Sequence, residues 1–442
     1  MVVAFRWSLP LSLTLLACST SGTPVAGSGG APASEGGSSY GGAASGGAVG
    51  GKSGEQAGAG VADGHAGGPN GAGGSSAGGP GSAGGGGDAS GRGGASSAGS
   101  GTGGAPSSHA GSGGSLASAG APASSGGASG ASAGQSDRCD VGVYDAAHPP
   151  QVLSLSGNLG THDPSAIDAG GVVYSYATGL AAKTSSNLTA WQAAARPFAT
   201  PTWAATQVPG VTDLWAPDIS YFNGLYHLYY AASTFGSNRS CIGQATRSAL
   251  DSGAWADQGQ VICSNIGTKQ DWNAIDPNVI VDEAAAPWLV FGSFWGGIQI
   301  IALDSAGARA GTTVTTIAAR PSNGGALEGA FMVRRCGYFY LFTSWDTCCK
   351  GADSTYNIRV GRSTAVTGPF VDKAGKALIS GGGTLMAQSD STWAGPGGQS
   401  VLLRGKQAYL VYHAYAKSNG AATLRIAELV WDSSGWPIPV GP

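Results

Sequence analysis

Five stretches of the chain share one pattern of hydrophobic and polar positions. Each begins with a polar or acidic residue, continues through a short apolar run and a turn, and ends in an alternating, aromatic-rich segment, as two antiparallel strands do. The clearest turn is Asn223-Gly224, in the second copy. Long amphipathic helical periods are missing, so the pattern predicts an all-β protein. The copies start near residues 163, 218, 276, 328 and 399, at spacings of 52 to 71 residues.

Repeats of this length indicate how the strands assemble. Each repeat holds further strand material, such as residues 242–246 and 358–362, which is enough for a four-stranded unit. Four-stranded units repeated around an axis form a β-propeller, which protects its sheet edges by radial repetition. The sequence therefore predicts a five-bladed propeller. A two-sheet β-sandwich is the alternative, although sandwiches rarely have a fivefold period of this length.

Composition divides the chain into two parts. Of its 442 residues 79 are glycine, and more than half of these lie in residues 21–136, where Tyr40 is the only aromatic residue. Such a segment cannot bury enough apolar surface to offset chain entropy, and its glycines keep no collagen-like period of three. We therefore expect a disordered Gly/Ser/Ala-rich tether over residues 18–138 and the propeller over residues 139–442. The formal net charge of −3 gives no reason to expect nucleic acid as a partner.

The N-terminus has the features of an export signal. Residues 1–17 carry Arg6 as their only charge, followed by an apolar run that is too short to span a bilayer. Leu15-Leu16-Ala17-Cys18 resembles the bacterial lipobox, in which the cysteine is lipidated. We expect an exported lipoprotein anchored through Cys18 in the outer membrane or at the cell surface, or released from it. Ordinary secretory cleavage is the alternative.

Export permits disulfide bonds among the remaining cysteines. Cys241 and Cys263 fall near neighbouring predicted strands, so we expect them to pair. The adjacent Cys348 and Cys349 form either a vicinal disulfide or two packed thiols. No cysteine and histidine spacing indicates zinc. The six cysteines beyond residue 138 are Cys139, Cys241, Cys263, Cys336, Cys348 and Cys349.

Three of the five repeats begin with a carboxylate: Asp163, Asp276 and Glu328. The first strand of each propeller blade lines the central channel, so these three side chains should converge at one mouth. Neighbouring carboxylates raise one another's pKa, and acid/base hydrolysis needs one protonated acid and one ionised base. A single Asp-Pro is more often a turn starter. Three carboxylates at equivalent repeat positions favour a catalytic site.

Aromatic residues near the same strand starts indicate a substrate class. Trp215, Phe235, Trp272 and Trp295 flank these starts, and their flat apolar faces suit sugar rings. His413 lies on a predicted strand of the fifth repeat, where a structural role and a metal-binding role are both open.

Eight segments, in order over about residues 157–440, resemble glycoside hydrolase family 43 and, more narrowly, its endo-1,5-α-L-arabinanases. The segments are Thr161-His-Asp-Pro-Ser, Leu214-Trp-Ala-Pro-Asp-Ile-Ser, Ser233-Thr-Phe-Gly-Ser-Asn, Asn273-Ala-Ile-Asp-Pro-Asn, Phe291-Gly-Ser-Phe-Trp, Trp345-Asp-Thr-Cys-Cys-Lys-Gly, Ser354-Thr-Tyr-Asn-Ile and Tyr412-His-Ala-Tyr.

The resemblance implies a five-bladed propeller that hydrolyses glycosidic bonds with inversion. By motif, Asp163 is the general base, Glu328 is the general acid, and Asp276 is a third carboxylate that raises the pKa of the acid and orients it. His413 matches a histidine beside a bound calcium ion, although calcium prefers oxygen ligands. The matched substrate contacts, with Asp163 and Asp276 themselves and the flanking Trp215, are Phe235, Gly236, Asn273, Ala274, Ile275, Ser293, Phe294 and Trp295.

One position departs from the family pattern. Ala330 stands where the family often has proline, and we expect it to loosen the backbone after Glu328 without removing the acid. The function expected is that of a monomeric endo-arabinanase acting on α-1,5-linked arabinan and arabino-oligosaccharides of plant cell walls. An exo-acting arabinanase or arabinofuranosidase and a non-catalytic arabinan-binding lipoprotein are the alternatives.

Overall fold

Residues 138–442 are described by the structure, a computed structural model, and they form the five-bladed β-propeller that the repeats predict. The five separate sheets exclude the sandwich. The expected signal peptide (residues 1–17), the lipidation site Cys18 and nearly all of the expected tether (residues 18–138) lie outside the described residues. No helix within residues 138–442 is long and apolar enough to cross a bilayer.

Each blade is a sheet of strands that follow one another along the chain, with the first full strand of each repeat at the propeller axis. Blade 1 contains β1 (Ser156–Gly157), β2 (Ser165–Ala169), β3 (Val172–Ala177), β4 (Ala181–Ser185) and β5 (Ala190–Ala194). Blade 2 contains β6 (Leu214–Phe222), β7 (Leu225–Ala232), β8 (Ser240–Arg247) and β9 (Ala256–Ser264). Blade 3 contains β10 (Asn278–Val281), β11 (Pro287–Phe291), β12 (Ile298–Ala302) and β13 (Thr315–Ala318). Blade 4 contains β14 (Leu327–Arg335), β15 (Tyr338–Trp345), β16 (Asn357–Ser363) and β17 (Thr384–Ala387). Blade 5 contains β18 (Trp393–Arg404), β19 (Gln407–Ala416) and β20 (Ala422–Glu428).

Helical structure in the described part is limited to short connections. One α-helix, α1 (Thr202–Gln207), precedes blade 2, and 3₁₀ turns occupy Thr178–Leu180, Asn323–Gly325, Gly351–Asp353 and Leu378–Ser380. The Asn223-Gly224 turn has φ values of 49° and 80°, the left-handed pair that a two-residue hairpin requires, as the sequence predicts.

Apolar side chains pack between neighbouring blades and hold the ring together. Alternate residues of a strand point to opposite faces of its sheet, so each blade contributes to two interfaces. On β10, Ile280 packs toward blade 4 whereas Val279 and Val281 pack toward blade 2. The five resulting clusters, one for each interface, form a closed belt of core around the axis.

Residues 151–161, which we call the closing segment, join the first blade to the last. Its backbone bonds to β20, through bridges such as Val152–Ala427 and Gly160–Thr423. Its β1 portion pairs in parallel with β5 of blade 1. The closing segment therefore fills the edge position that the three-stranded blade 5 leaves open, and it protects that edge from unwanted pairing.

Three disulfides are present in the described part. Cys241 and Cys263 face each other on β8 and β9 and are bonded, as predicted. Cys348 and Cys349 form the vicinal bridge, one of the two predicted alternatives. The third bond, Cys139–Cys336, was not predicted, and it joins the chain just before the closing segment to the turn between β14 and β15.

Candidate active site

The three predicted carboxylates meet at one mouth of the channel. Asp163 immediately precedes β2, Asp276 precedes β10, and Glu328 lies on β14. Asp163 and Asp276 have φ values of 50° and 56°. This left-handed conformation is uncommon for residues other than glycine, and backbone strain of this kind concentrates at functional sites.

Asp163 is held as an ionised carboxylate. Its Oδ2 atom accepts hydrogen bonds from Nδ1 of His162 at 2.7 Å and from the Thr178 hydroxyl at 2.8 Å. Burial alone would raise the pKa of Asp163, but the charge and hydrogen bond of His162 and the hydrogen bond of Thr178 hold this pKa well below its usual range. In the same pair, burial acts against protonation of His162, yet the Asp163 charge raises the pKa of His162. Neither of these bonds uses Oδ1 of Asp163.

Glu328 has the opposite electrostatic environment. Its side chain is buried on β14, where Oε2 accepts a hydrogen bond from the Ser293 hydroxyl at 2.6 Å and Oε1 accepts one from Tyr356. Burial raises the pKa of Glu328, although the two hydroxyl donors act in the other direction. A raised pKa keeps a carboxyl group protonated, as a general acid must be.

Asp276 is coupled to Glu328 through the backbone. Oδ2 of Asp276 accepts a hydrogen bond at 2.9 Å from the N–H of Gly329, the residue after the acid. Burial, followed by the charges of Glu328 and Asp163, raises the pKa of Asp276 well above its usual range. Two buried carboxyl groups in this position do not both ionise readily, so ionisation of Glu328 acts against ionisation of Asp276.

His413 is fully buried on β19 beside the base. Its ring stacks on His162 with centroids 3.9 Å apart, and Nδ1 accepts the backbone N–H of Asp163 at 3.1 Å. Burial lowers the pKa of His413 to about 3, so the ring is neutral, and this bond places its proton on Nε2.

The Nε2 atom of His413 is available to bind a metal ion. Within the described residues, Nε2 of His413 is buried and has no hydrogen-bond partner. His162, Asp163 and His413 each place a potential ligand atom within 4.8 Å of the others. An ion on Nε2 would require the other ring tautomer, with the Nδ1 proton directed at Oδ1 of Asp163, which lies 3.6 Å away.

Exposed aromatic side chains lie in the loops between the second and third strands of blades 2 and 3, and a third ring, Trp215, lies on β6. The Trp215 and Phe235 rings contact each other, with centroids 5.0 Å apart, and Trp295 contacts Phe294. Phe235 and Trp295 remain 45% and 49% exposed, which is unusual for such large apolar side chains. Flat exposed rings of this kind suit the apolar faces of sugar units.

Comparison with known proteins identifies the family. Residues 157–437 match the family model described as Glycosyl hydrolases family 43. The chain belongs to family 43 of the glycosyl hydrolases. It is therefore a glycoside hydrolase, as the sequence motifs predict.

Individual relatives cover somewhat less than two thirds of the chain. The extracellular endo-α-(1→5)-L-arabinanase 1 of Bacillus subtilis (strain 168) is 44% identical over 285 residues, which are 62% of this chain and 86% of that protein. The extracellular exo-α-(1→5)-L-arabinofuranosidase ArbA of Cellvibrio japonicus (strain Ueda107) is 38% identical over 296 residues, 62% of this chain and 85% of that protein. Among solved structures, a GH43 endo-arabinanase from Bacillus licheniformis superposes with a TM-score of 0.62 at 44% identity, covering 65% of this chain and 99% of the other.

The remaining predicted substrate contacts of this family 43 enzyme differ in accessibility. Gly236 is exposed at the turn after Phe235. Asn273 is buried and accepts a hydrogen bond from the Ser240 hydroxyl at 2.7 Å. Ala274 is fully buried between blades 2 and 3, and Ile275 is also buried. The Ala274 side chain therefore faces the core, and a sugar could reach this stretch only through its backbone or through Asp276.

Two further residues named above, Trp272 and Ala330, contact the core. Trp272 is partly buried and packs edge-on against Phe291, with centroids 5.4 Å apart, at the margin of the core between blades 2 and 3. Ala330 is buried between blades 3 and 4, within the irregular part of β14 between Glu328 and Phe331. Its effect on rate stays a prediction.

Four residues that contact the carboxylates, directly or through one neighbour, had no predicted role. They are His162, Thr178, Tyr356 and Tyr415. His162 adjoins Asp163 in sequence, and Tyr356 and Tyr415 lie within segments that resemble the family, so proximity to a motif was the available signal. Thr178 had none, because only the fold brings β3 back to the start of β2.

Proposed function

We propose that this enzyme is an endo-acting, inverting arabinanase that cleaves α-1,5-L-arabinofuranosidic bonds in arabinan. Its similarity to relatives named for this activity supports the substrate. The reaction type is inferred from the presence of both Asp163 and Glu328 at one mouth of the channel. One carboxylate has a lowered pKa and the other a raised pKa. Acid/base cleavage of a glycosidic bond needs these two protonation states together, and the inverting outcome is what the resemblance to family 43 implies.

In the proposed reaction, each carboxyl group acts in the protonation state that its surroundings favour. Two donors occupy Oδ2 of Asp163, so Oδ1 takes a proton from a water molecule as that water attacks the anomeric carbon. Protonated Glu328 gives its proton to the glycosidic oxygen, and the bond between this oxygen and the anomeric carbon breaks. The products are a sugar with an inverted anomeric centre and a shortened chain with a free hydroxyl. Asp276 orients the acid through the N–H of Gly329.

Calcium beside His413 is part of the proposal. The ion, when bound, supplies positive charge near the carboxylates. His413 would hold it through Nε2, with water as the remaining oxygen ligands because calcium prefers oxygen. Titration calorimetry with calcium measures binding directly, and the His413→Ala variant should bind at least about tenfold more weakly. Equal binding by both proteins contradicts this assignment.

The product profile over time on linear, debranched arabinan tests the function. Mixed oligomers at early times are expected, whereas a single small product from the outset would show exo action. Glu328→Gln should lower kcat by about 10²–10⁴-fold, because the leaving oxygen loses its proton donor. Glu283→Gln, a substitution at a well-exposed glutamate, is the matched control and should retain full activity. Binding of arabinan without release of reducing ends would instead indicate a binding protein.

Export and anchoring complete the proposal. The names of the relatives describe extracellular proteins, and disulfides fit an oxidising compartment. Cys18 is the proposed lipidation site of a monomeric surface enzyme. Cys18→Ser should move the protein from the membrane fraction to the soluble fraction, and unchanged fractionation contradicts the anchor.

A further inference from the structure

A chain of hydrogen bonds connects the vicinal disulfide to the base. The backbone N–H of Cys349 donates to the Tyr415 hydroxyl at 2.9 Å. That hydroxyl lies 2.6 Å from Nε2 of His162, whose Nδ1 lies 2.7 Å from Oδ2 of Asp163. Sγ of Cys349 is itself 3.7 Å from Nε2 of His162. These contacts involve blade 4, blade 5 and the start of blade 1.

We propose that the Cys348–Cys349 disulfide is a positioning element for Asp163, and that its reduction slows the enzyme. This inference rests on the proposed function for its rate measurements. The disulfide closes a ring around the peptide bond between the two cysteines and so restricts the backbone of Cys349. Cys349 has a φ of 64°, which residues with a side chain rarely adopt without support. Opening the ring removes one restraint that holds its N–H toward Tyr415.

The same loop also contacts the acid. Residues 346–356 connect β15 to β16, and Tyr356 at the end of this loop bonds to Glu328. Within the loop, the hydroxyl of Ser354 accepts the N–H of Lys350 at 2.9 Å. One loop therefore carries Cys349, which contacts Tyr415 on the side of the base, and Tyr356, which contacts the acid. A small displacement of a reacting group can cost about 10²-fold in rate.

The disulfide is open to a chemical reductant. Cys348 and Cys349 are partly exposed, whereas Cys241 of another disulfide is fully buried. A dithiol would attack one sulfur of the pair, the S–S bond would break, and two thiols would form on the protein while the dithiol becomes a disulfide. In an oxidising compartment a small-molecule disulfide re-forms the bond by thiol–disulfide exchange and is itself reduced to two thiols.

Variants test the inference without a reductant. Cys348→Ala/Cys349→Ala should lower kcat on arabinan by about 10–100-fold, with KM changed less than about twofold. Cys241→Ala/Cys263→Ala removes a disulfide outside the site and should retain kcat. Tyr415→Phe breaks the same hydrogen-bond chain, so adding it to the Cys348/Cys349 variant should cause little further loss. Wild-type kcat in that variant, or fully additive losses with Tyr415→Phe, would overturn the proposal.

A second measurement needs no turnover. The ring resonances of His162 should shift in the Cys348→Ala/Cys349→Ala variant, and those of His227, which is buried in blade 2, should not. Unshifted His162 resonances overturn the inference even if arabinan is not the substrate. Shifted resonances in a protein that releases no products support the hydrogen-bond chain and contradict the proposed function instead.

Discussion

Oδ1 of Asp163 lies in the space that a side chain on Gly398 would need. A Cβ atom added to Gly398 would overlap this oxygen and would stand 2.9 Å from the His413 ring. Gly398 also has a φ of 55°, which favours glycine. The glycine on β18 therefore leaves room for the one oxygen of Asp163 that His162 and Thr178 do not occupy.

Gly398→Ala should consequently displace the base. We expect kcat to fall by about 10²-fold, because a shift of about 1 Å at a reacting group has effects of this size. Gly405→Ala is the matched control, since Gly405 has a φ of 60° and open space around it. Both variants should lose about 1 kcal/mol of stability from the backbone conformation alone. Equal kcat values for the two variants would contradict the steric argument.

The opposite pKa shifts of the base and the acid predict opposite effects on stability. The pKa of Glu328 is raised above its ordinary value of 4.5, so the ionised form costs folding free energy at neutral pH. At pH values above the folded-state pKa of Glu328, the Glu328→Gln substitution should raise Tm. The gain in Tm should vanish below about pH 4. The pKa of Asp163 is lowered from 3.8, so its contribution is present above that value and is lost as pH falls further.

Asp163→Asn should therefore lower Tm at neutral pH, and this loss should begin to shrink as the pH falls below 3.8. Scanning calorimetry from pH 3 to pH 8 with a chelator present measures both variants against wild type. If both substitutions lower Tm at pH 7, the fold does not raise the pKa of Glu328.

Much of this arrangement can be predicted from local sequence, and some of it cannot. The strand starts at Asp163, Asp276 and Glu328 were predictable because two-residue alternation and turn residues are local signals. The bond between His162 and Tyr415 spans 253 residues, so only closure of the ring brings them together. The closing segment precedes the first repeat and carries no repeat pattern. Similarly, Ala274 lies in a motif, but motif membership does not reveal that its side chain faces the core.

The two hydroxyl donors to Glu328 control the pH at which the acid works. The bonds from Ser293 and Tyr356 lower the pKa of Glu328 against the effect of burial. Tyr356→Phe or Ser293→Ala should raise this pKa by roughly one unit, since a hydrogen bond to a charged group contributes about 1.5–3 kcal/mol. The acid must be protonated, so the high-pH limb of kcat/KM should move to higher pH. Tyr144→Phe at an exposed tyrosine is the control, and a limb that stays in place contradicts the assignment of Glu328.

The disulfides should differ in their contribution to stability. Cys139 and Cys336 are 197 residues apart, whereas Cys241 and Cys263 are 22 apart. A longer loop loses more entropy on closure, so Cys139→Ser/Cys336→Ser should destabilise by about 2 kcal/mol more than Cys241→Ser/Cys263→Ser. Guanidinium unfolding of the two variants measures the difference. A larger loss for the Cys241/Cys263 variant would show that packing around the buried Cys241 outweighs loop entropy.

The position of the Cys139–Cys336 bond determines how the propeller bears tension. A pull on the chain ahead of Cys139 passes through the disulfide into the β14–β15 hairpin of blade 4 and bypasses the closing segment. That load therefore enters the propeller before it reaches the hydrogen bonds that close the ring, and the seam between the first and last blades is protected from being pulled apart at its N-terminal end. If the bond is reduced, the same force falls first on the hydrogen bonds that residues 138–144 make to Arg335, Lys406 and Trp431, and the seam at residues 151–161 is the next part of the propeller to bear it.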